Sequence, residues 1–321
     1  GIPLCHHVFP GNTVDKATVA TVVRDLKGRF DLGKVIFVGD RGMLSDESLE
    51  TILREELGFI VAHPLRRSQI AAAVIGELGA RIDRGSEEEQ FLSEERTSVR
   101  FVLAYSPQID REVREERQAR LFRADGFVAE CLRKLTAPAS RGRKATPQGT
   151  YDRIRDYLRD HHLLSLYEID RMEGEVIVRP NEKARAWEET IGGMLLLETT
   201  DMDLPTEEIV RRYKELAEIE RGWRALKSSL MLRPVYHWTE DRIKAHVFLC
   251  VLALQIERLM RRRLESVSVH KAIDRLRRIK AGEVRLGGVM TRTLTRTTEE
   301  QLNLFKSLDI PPPRMTKTEA L

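Results

Sequence analysis

Two carboxylates, Asp40 and Glu220, occupy positions from which they could bind a divalent metal ion. Asp40 follows the apolar run at residues 35–38, and that run predicts a buried strand of the parallel type. Open α/β sheets bind their ligands at the carboxyl ends of such strands, which favours a functional role for Asp40. The alternative is a turn at residues 40–42, because aspartate often starts turns through its local hydrogen bonds.

Glu220 belongs to a predicted helix in which Tyr213, Glu220 and Lys227 recur every seven residues. A step of seven residues drifts only ~20° around a helix axis, so the three side chains are predicted to share one face. Arg224 lies on that face one turn after Glu220. The neighbouring face is apolar and is predicted to dock onto a sheet; it carries Leu216, Ile219, Trp223 and Leu226. The alternative is a surface helix with a Glu220–Arg224 ion pair worth ~0.2–0.5 kcal/mol.

Carboxylates of this kind, on a strand end and on a docked helix, can together bind Mg²⁺, which prefers oxygen ligands. Two such ions would activate water and stabilise the leaving oxygen in phosphodiester cleavage. A tyrosine and a lysine beside Glu220 would be able to hold a phosphate. Metal-dependent chemistry on a phosphodiester is therefore the hypothesis that these residues favour.

Residues 1–66 are predicted to supply the sheet that carries Asp40. Short apolar runs alternate there with amphipathic stretches, which indicates a βαβαβ order and an α/β fold. The predicted strands cover residues 1–9, 35–38 and 59–62, and the predicted helices cover residues 15–29 and 45–57.

Residues 67–205 interrupt this order and are predicted to form an inserted α+β block. It would contain a strand at 98–105, a long helix at 109–135, a Pro/Gly/basic linker at 136–144, a strand pair at 166–179 and a strand at 193–199. From residue 206 onward the pattern is helical, with helices at 206–229, 239–263 and 267–281. The predicted domains are therefore 1–66, 67–205, 206–265 and a helical tail at 266–321.

Composition sets limits on the class of protein. The 321 residues are 41% hydrophobic and 32% charged, which is typical of a globular chain. The three cysteines are far apart, so neither a disulfide framework nor a zinc site is indicated, and a reducing cytoplasm fits. The longest apolar run, at residues 247–254, is shorter than the ~20 residues of a membrane span.

Basic residues are concentrated in the last third of the chain, at residues 258–264 and 275–280, although the net charge is only +4. Such clusters suit an acidic polymer as a partner, and the alternative is that they are solvated helix faces.

The order of these residues resembles that of bacterial DDE transposases. The spacing Tyr213-x6-Glu220-x6-Lys227, followed by Leu-Arg-Pro-Val-Tyr-His at 232–237 and by Arg-Ile-Lys-Ala-His at 242–246, is similar to the Tyr-Arg-Glu-Lys signature. It looks most like the insertion sequence four superfamily, in the branch named for insertion sequence sixteen thirty-four. The stretch at 1–15 and the segment Val-Gly-Asp-Arg-Gly-Met at 38–43 resemble the family's region around its second aspartate.

The resemblance implies a ribonuclease H-like catalytic core interrupted by an insertion, with Asp40 as the second carboxylate of the metal site and Glu220 as the third. It implies two Mg²⁺ or Mn²⁺ ions, DNA strand cleavage and strand transfer at the element's ends, and a homodimer on paired ends. Terminal-repeat and target DNA would be the partners, in the cytoplasm near the nucleoid. The residues expected to contact DNA are Tyr213, Arg224, Lys227, Arg233 and His237.

Two departures from the family's pattern matter. Leu216 stands where the signature has its arginine, so the phosphate contact of that arginine is expected to be absent or to be made by Arg224. The family's first aspartate, on the first strands of the sheet, is expected upstream of Gly1, so the chain as given would be inactive while its parent would be an enzyme. The second hypothesis is accordingly a truncated remnant that binds DNA without cutting it, and the third is a host nuclease of the same fold.

Overall fold

The computed structural model describes residues 1–13, 15–30, 35–40, 46–54, 57–137, 145–172, 174–228, 230–286, 289–314 and 318–320. The chain divides into two compact units. One unit, here called the sheet unit, is Val14–Lys214. The other, here called the helical unit, is Gly1–Thr13 together with Glu215–Leu321.

The sheet unit contains seven strands and seven helices in its described part. The strands are β1 (Ile36–Asp40), β2 (Gly58–Ala62), β3 (Gln90–Arg96), β4 (Val99–Tyr105), β5 (Tyr167–Met172), β6 (Glu175–Pro180) and β7 (Met194–Thr199). The helices are α1 (Asp15–Arg29), α2 (Asp46–Arg54), α3 (Gln69–Leu78), α4 (Pro107–Thr136), α5 (Pro147–Asp160), α6 (Glu182–Thr190) and α7 (Thr206–Lys214).

Five of these strands form one mixed sheet in the order β1-β2-β7-β4-β3. β1 and β2 are parallel, with Asp40 opposite Ala62, and the other neighbours are antiparallel. β2 and β4 are rich in β-branched and aromatic residues, which pack well on a pleated surface. The sheet therefore brings the end of β1 next to the end of β2.

Helices cover both faces of this sheet. On one face, Ile209 and Val210 of α7 pack against strand residues such as Ile60 and Leu197. On the other face, α3 packs Val74 and Ile75 against residues of β4 and β7. α3 begins at Ser68, whose side chain accepts a hydrogen bond from the amide of Ala71 and so satisfies one of the free donors of the first turn.

A second core lies beside the sheet within the same unit. α4 and α5 pack with the two-stranded sheet of β5 and β6 around buried residues such as Ala124, Ile154, Leu158 and Val176. Tyr167 on β5 donates a hydrogen bond of 2.6 Å to Asp125 on α4, so its phenol is not left unsatisfied. Burial and this hydrogen bond raise the pKa of Tyr167 above its ordinary value.

The helical unit contains α8 (Leu216–Lys227), α9 (Glu240–Arg263), α10 (Val269–Leu276) and α11 (Glu299–Leu308), with the strands β8 (Ala281–Leu286), β9 (Val289–Leu294) and β10 (Thr318–Ala320). The three strands pair antiparallel in the order β10-β9-β8. In the described part of the chain, no helix combines the length and the apolar composition that crossing a bilayer requires.

Much of the local structure agrees with the sequence. The helix predicted at 15–29 is α1, the helix predicted at 239–263 is α9, and the strand pair predicted at 166–179 is the hairpin of β5 and β6. The mixed α/β architecture with a central sheet is confirmed. A ribonuclease H-like fold remains a prediction. Residues 138–144 of the predicted linker lie outside the described residues.

Three features differ from the prediction. Residues 1–9 form no strand, and the tail, predicted to be helical, contains the hairpin of β8 and β9. The block at 67–205 is not separate from the sheet, because its strands β3, β4 and β7 continue the sheet from β2. The pairing of β2 with β7 joins residues more than a hundred positions apart, such as Ile60 and Thr199, and local sequence patterns do not report such pairing.

α8 and α9 pack closely at Gly222. A Cβ atom at this position would lie 3.1 Å from Nη2 of Arg258 and 3.6 Å from a methyl carbon of Leu254. Arg258 is buried and donates hydrogen bonds to the carboxylate of Glu218 (2.9 Å) and to its carbonyl oxygen (2.7 Å). Burial opposes the ionisation of Glu218, but Arg221 and Arg258 outweigh it and lower the pKa of Glu218.

We expect Gly222→Ala to destabilise the protein by about 1–3 kcal/mol, because the added methyl group crowds a charged side chain that has little room to move. Gly76→Ala is the matched control, since Gly76 is also within a helix and a Cβ there meets nothing within 4 Å. That control should be neutral or stabilise by up to ~1 kcal/mol. Urea denaturation followed by circular dichroism measures both, and equal effects of the two substitutions would contradict the close packing.

Candidate active site

Asp40 is the last residue of β1, as expected for a carboxylate at the carboxyl end of a parallel strand. Its Cα lies opposite that of Ala62, and the preceding strand residues Ile36 and Val38 pack into the core on the α7 side. The side chain of Asp40 and residues 41–45, including the predicted turn, lie outside what the structure describes.

Glu220 lies on α8, and two basic residues, Arg224 and Lys227, follow it on the same helix. Glu220, Arg224 and Lys227 are exposed, and their spacing of four and three residues places them on one face. Within the described residues, none of the three side chains makes an ion pair or a side-chain hydrogen bond. The alternative role of Glu220, a surface ion pair with Arg224, is therefore absent here, and its carboxylate is available to a ligand.

Tyr213 belongs to a different helix from Glu220. The single helix predicted at 206–229 is two helices, because α7 ends at Lys214 and α8 begins at Leu216. Tyr213 packs at the edge of the sheet core in the sheet unit, whereas Glu220 is in the helical unit. The heptad relation of Glu220 and Lys227 holds within α8.

The apolar face predicted for α8 differs from the face that is buried. Gly222 and Leu226 are buried, and they pack against α9 and the segment after α8 through Leu254, Cys250 and Leu230. Ile219 and Trp223, which were predicted to dock onto a sheet, are about half exposed at 48% and 53%. The helical periodicity identified an apolar side but could not show that a glycine would make the closest contact.

Two further predicted DNA contacts follow α8 in the segment before α9. Arg233 is exposed and has no ion-pair partner among the described residues. The ring of His237 lies edge-on to that of His246 on α9, with 5.5 Å between ring centroids. His246 in turn lies 3.8 Å from the sulfur of buried Cys250, so His237 has a neighbour that anchors it to the helix.

The sheet holds a buried polar pair that the sequence did not reveal. Nε2 of His63, just after β2, lies 2.6 Å from Oε2 of Glu198 on β7, and the side chains are 3% and 15% exposed. The partners are 135 residues apart, so no spacing rule could have found them. In the basic segment at 258–264, Arg258 is buried against Glu218, whereas Arg261, Arg262 and Arg263 are exposed, as a surface role requires.

Comparison with protein families identifies the class of the chain. A family model described as a transposase DDE domain matches residues 1–256, which include both Asp40 and Glu220. The chain belongs to this family. Searches of curated proteins and of solved structures gave no match. The resemblance to DDE transposases is thereby confirmed, and the assignment to the insertion sequence four superfamily remains a prediction.

Membership in the family establishes the general role of the molecule. A transposase DDE domain acts on DNA, and such domains generally use divalent metal ions. Carboxylate oxygens are ligands that Mg²⁺ and Mn²⁺ prefer, and the carboxylate of Glu220 is exposed and has no partner in the part of the chain that the structure describes. The carboxylate of Glu220 in this transposase domain is therefore of the kind that fits a divalent metal ion.

Proposed function

We propose that this transposase domain cleaves DNA strands at the ends of an insertion sequence and joins the freed 3′ hydroxyl groups to target DNA. Asp40 and Glu220 would hold two Mg²⁺ or Mn²⁺ ions. The observation that carries the proposal is the face of α8, where a carboxylate is followed by two cations and none of the three is paired among the described residues. An ordinary surface helix would be expected to pair such charges at a spacing of four residues.

The basic residues of this face would position the DNA backbone. Arg224 and Lys227 carry full positive charges one turn and two turns after Glu220, so a phosphate bound to them would be held beside its carboxylate. Tyr213, Arg233 and His237 would contact the DNA on either side. When bound, the metal ions would supply Lewis acidity and an activated water, which polar side chains alone do not provide.

The parent protein would act as a homodimer on paired ends of the element, as the family resemblance implies. A third carboxylate is part of the same implication. Neither point alters the roles proposed for Asp40 and Glu220, since each of these residues would be needed in every copy that cuts DNA.

The test is a nicking assay on supercoiled plasmid and on linear duplex DNA, using the protein together with any residues that its gene encodes before Gly1. We expect strand cleavage with Mg²⁺ or Mn²⁺, complete loss of cleavage after chelation by EDTA, and recovery when the metal is returned. Cleavage that persists in EDTA would contradict the proposal. Salt-sensitive DNA binding without cleavage under either metal would instead support the DNA-binding remnant.

A further inference from the structure

An arginine-lined cleft lies in the sheet unit, away from both proposed metal-binding residues in sequence. It has a volume of about 550 Å³ and lies between the segment after β2, the middle of α4, the end of α5 with the segment after it, and α6. Its basic lining residues are Arg66, Arg67, Arg117, Arg120, Arg159 and His162. Glu116 and Glu188 are the acidic ones, so five arginines against two glutamates give the cleft a formal charge of +3.

Backbone carbonyl groups hold two of these guanidinium groups in place. Arg117 donates a hydrogen bond of 2.7 Å to the carbonyl oxygen of Glu188, and Arg120 donates one to the carbonyl oxygen of His161. A carbonyl group orients an arginine without neutralising its charge. The nearest carboxylate to Arg120, that of Glu116, is 3.9 Å away and largely exposed. Arg117 and Arg120 therefore keep most of their positive charge in a fixed position.

The other arginines differ in how far they are neutralised. Arg66 forms a paired contact with Glu188 at 2.5 and 2.9 Å, and Arg159 contacts Asp156 at 2.9 Å. Arg67 is exposed and makes no ion pair or side-chain hydrogen bond among the described residues. Three guanidinium groups, on Arg67, Arg117 and Arg120, are thus the available cations, and they come from two separate segments of the chain.

At the end of α5, hydrogen bonds occupy backbone carbonyl groups that would otherwise repel an anionic ligand. His162 adopts φ +55° after the helix, and its amide binds the carbonyl of Arg159 while that of Leu163 binds the carbonyl of Leu158. These two bonds form a Schellman motif, which satisfies carbonyl groups that would otherwise face a ligand as negative dipoles. Arg120 binds the carbonyl of His161 in the same turn. The cleft therefore presents arginines and an imidazole, and the carbonyl groups of Leu158, Arg159 and His161 at this helix end are already occupied.

We infer that this cleft binds the phosphate backbone of duplex DNA and is a second contact between the transposase domain and its substrate. Arginine suits phosphate because its planar fork donates two hydrogen bonds together with its charge. Cations that come from separated chain segments match a polymer with repeating phosphates better than a single anion. The inference rests on the proposed function for the identity of the ligand, and it concerns residues that take no part in metal binding.

The experiment measures the binding of a fluorescent duplex by anisotropy over a series of salt concentrations. The slope of log K against log salt is negative, and each lost phosphate contact should reduce its magnitude by ~0.9. We therefore expect Arg117→Gln with Arg120→Gln to reduce the magnitude of the slope by about 2 and to weaken binding at low salt. Arg67→Gln removes no ion pair or side-chain hydrogen bond among the described residues, so it should not disturb the fold. It should reduce the magnitude of the slope by about 1, which keeps the inference testable if the double variant misfolds.

The matched control is Arg111→Gln with Arg133→Gln, which removes the same charge from exposed positions of α4 outside the cleft. It should leave the salt slope unchanged. Unchanged slopes in the cleft variants, or an equal loss in the control, would overturn the inference. Tight binding of inorganic phosphate that displaces the duplex would assign the cleft to small anions, and stronger competition by duplex RNA would assign it to RNA; either result also contradicts it.

The two proposals can fail separately. Metal-dependent cleavage together with unchanged binding in the cleft variants would remove this inference and leave the proposed function intact. Absence of metal-dependent cleavage together with weakened duplex binding in the cleft variants would contradict the proposed function and leave this inference intact.

Discussion

Glu220→Gln should abolish metal-dependent DNA cleavage while leaving the fold intact. The substitution keeps the size of the side chain and removes one negative charge, so a metal ion loses a ligand and cleavage loses several kcal/mol of transition-state stabilisation. A loss of that size corresponds to a fall in rate on the order of 1000-fold, at a factor of ten for each ~1.4 kcal/mol. Because Glu220 is exposed and unpaired among the described residues, stability should change by no more than ~0.5 kcal/mol.

Glu265→Gln is the control for this result. Glu265 is also exposed in the helical unit, and it lies outside the face of Glu220, Arg224 and Lys227. Its replacement therefore removes the same charge from a position that has no proposed role in cleavage. The measurement compares the initial nicking rates of the two variants at the same Mg²⁺ concentration. If Glu220→Gln cuts DNA as fast as Glu265→Gln, Glu220 is not a metal ligand. Asp40→Asn should show the same loss as Glu220→Gln.

The sequence predicts elements that depend on local residue order. α1 and α9 have the predicted bounds within a residue or so, because amphipathic periodicity and capping act over a few turns. The sequence does not predict that Glu220 is exposed and, among the described residues, unpaired. Its spacing to Arg224 allows either an ion pair or a ligand site, and only the conformation of the two side chains decides between them.

Contacts between distant residues are the part that the sequence does not predict. The pairing of β2 with β7 places Glu198 beside His63, and the cleft on α4 joins Arg67 to Arg117 and Arg120. Each of these residues alone lies in an ordinary sequence pattern. An arginine on a long charged helix, for example, indicates a solvated helix face. The fold must be known before carbonyl-anchored arginines can be distinguished from solvated ones.

The break between α7 and α8 shows the same limit at short range. The heptad spacing of Tyr213, Glu220 and Lys227 predicts one continuous helix, and every residue in the interval is compatible with one. The helix nevertheless ends at Lys214, where the chain passes from the sheet unit to the helical unit. Periodicity reports which residues face the same way within a helix, and it does not report where a helix stops.

A larger effect on stability is expected at Gly193, which precedes β7. It has φ +69°, and an added Cβ would lie 2.6 Å from the carbonyl oxygen of Ser106 and 2.8 Å from Cβ of Asp110. Neither neighbour can easily give way. The amide of Ser106 is bonded to the carbonyl of Gly193, and buried Asp110 accepts hydrogen bonds from Tyr105 (3.0 Å) and Arg114 (3.0 Å).

Gly193→Ala should therefore lower the free energy of unfolding by about 3 kcal/mol or more, since backbone strain and overpacking each cost on the order of 1–3 kcal/mol. Gly174→Ala separates the two causes. Gly174 has φ +85° in the turn between β5 and β6, but a Cβ there meets nothing within 4 Å, so only the strain applies. Denaturant unfolding of both variants should show Gly193→Ala as clearly the less stable, and if the two are equal, the tight contact of Gly193 with Ser106 and Asp110 does not limit the stability of the sheet unit.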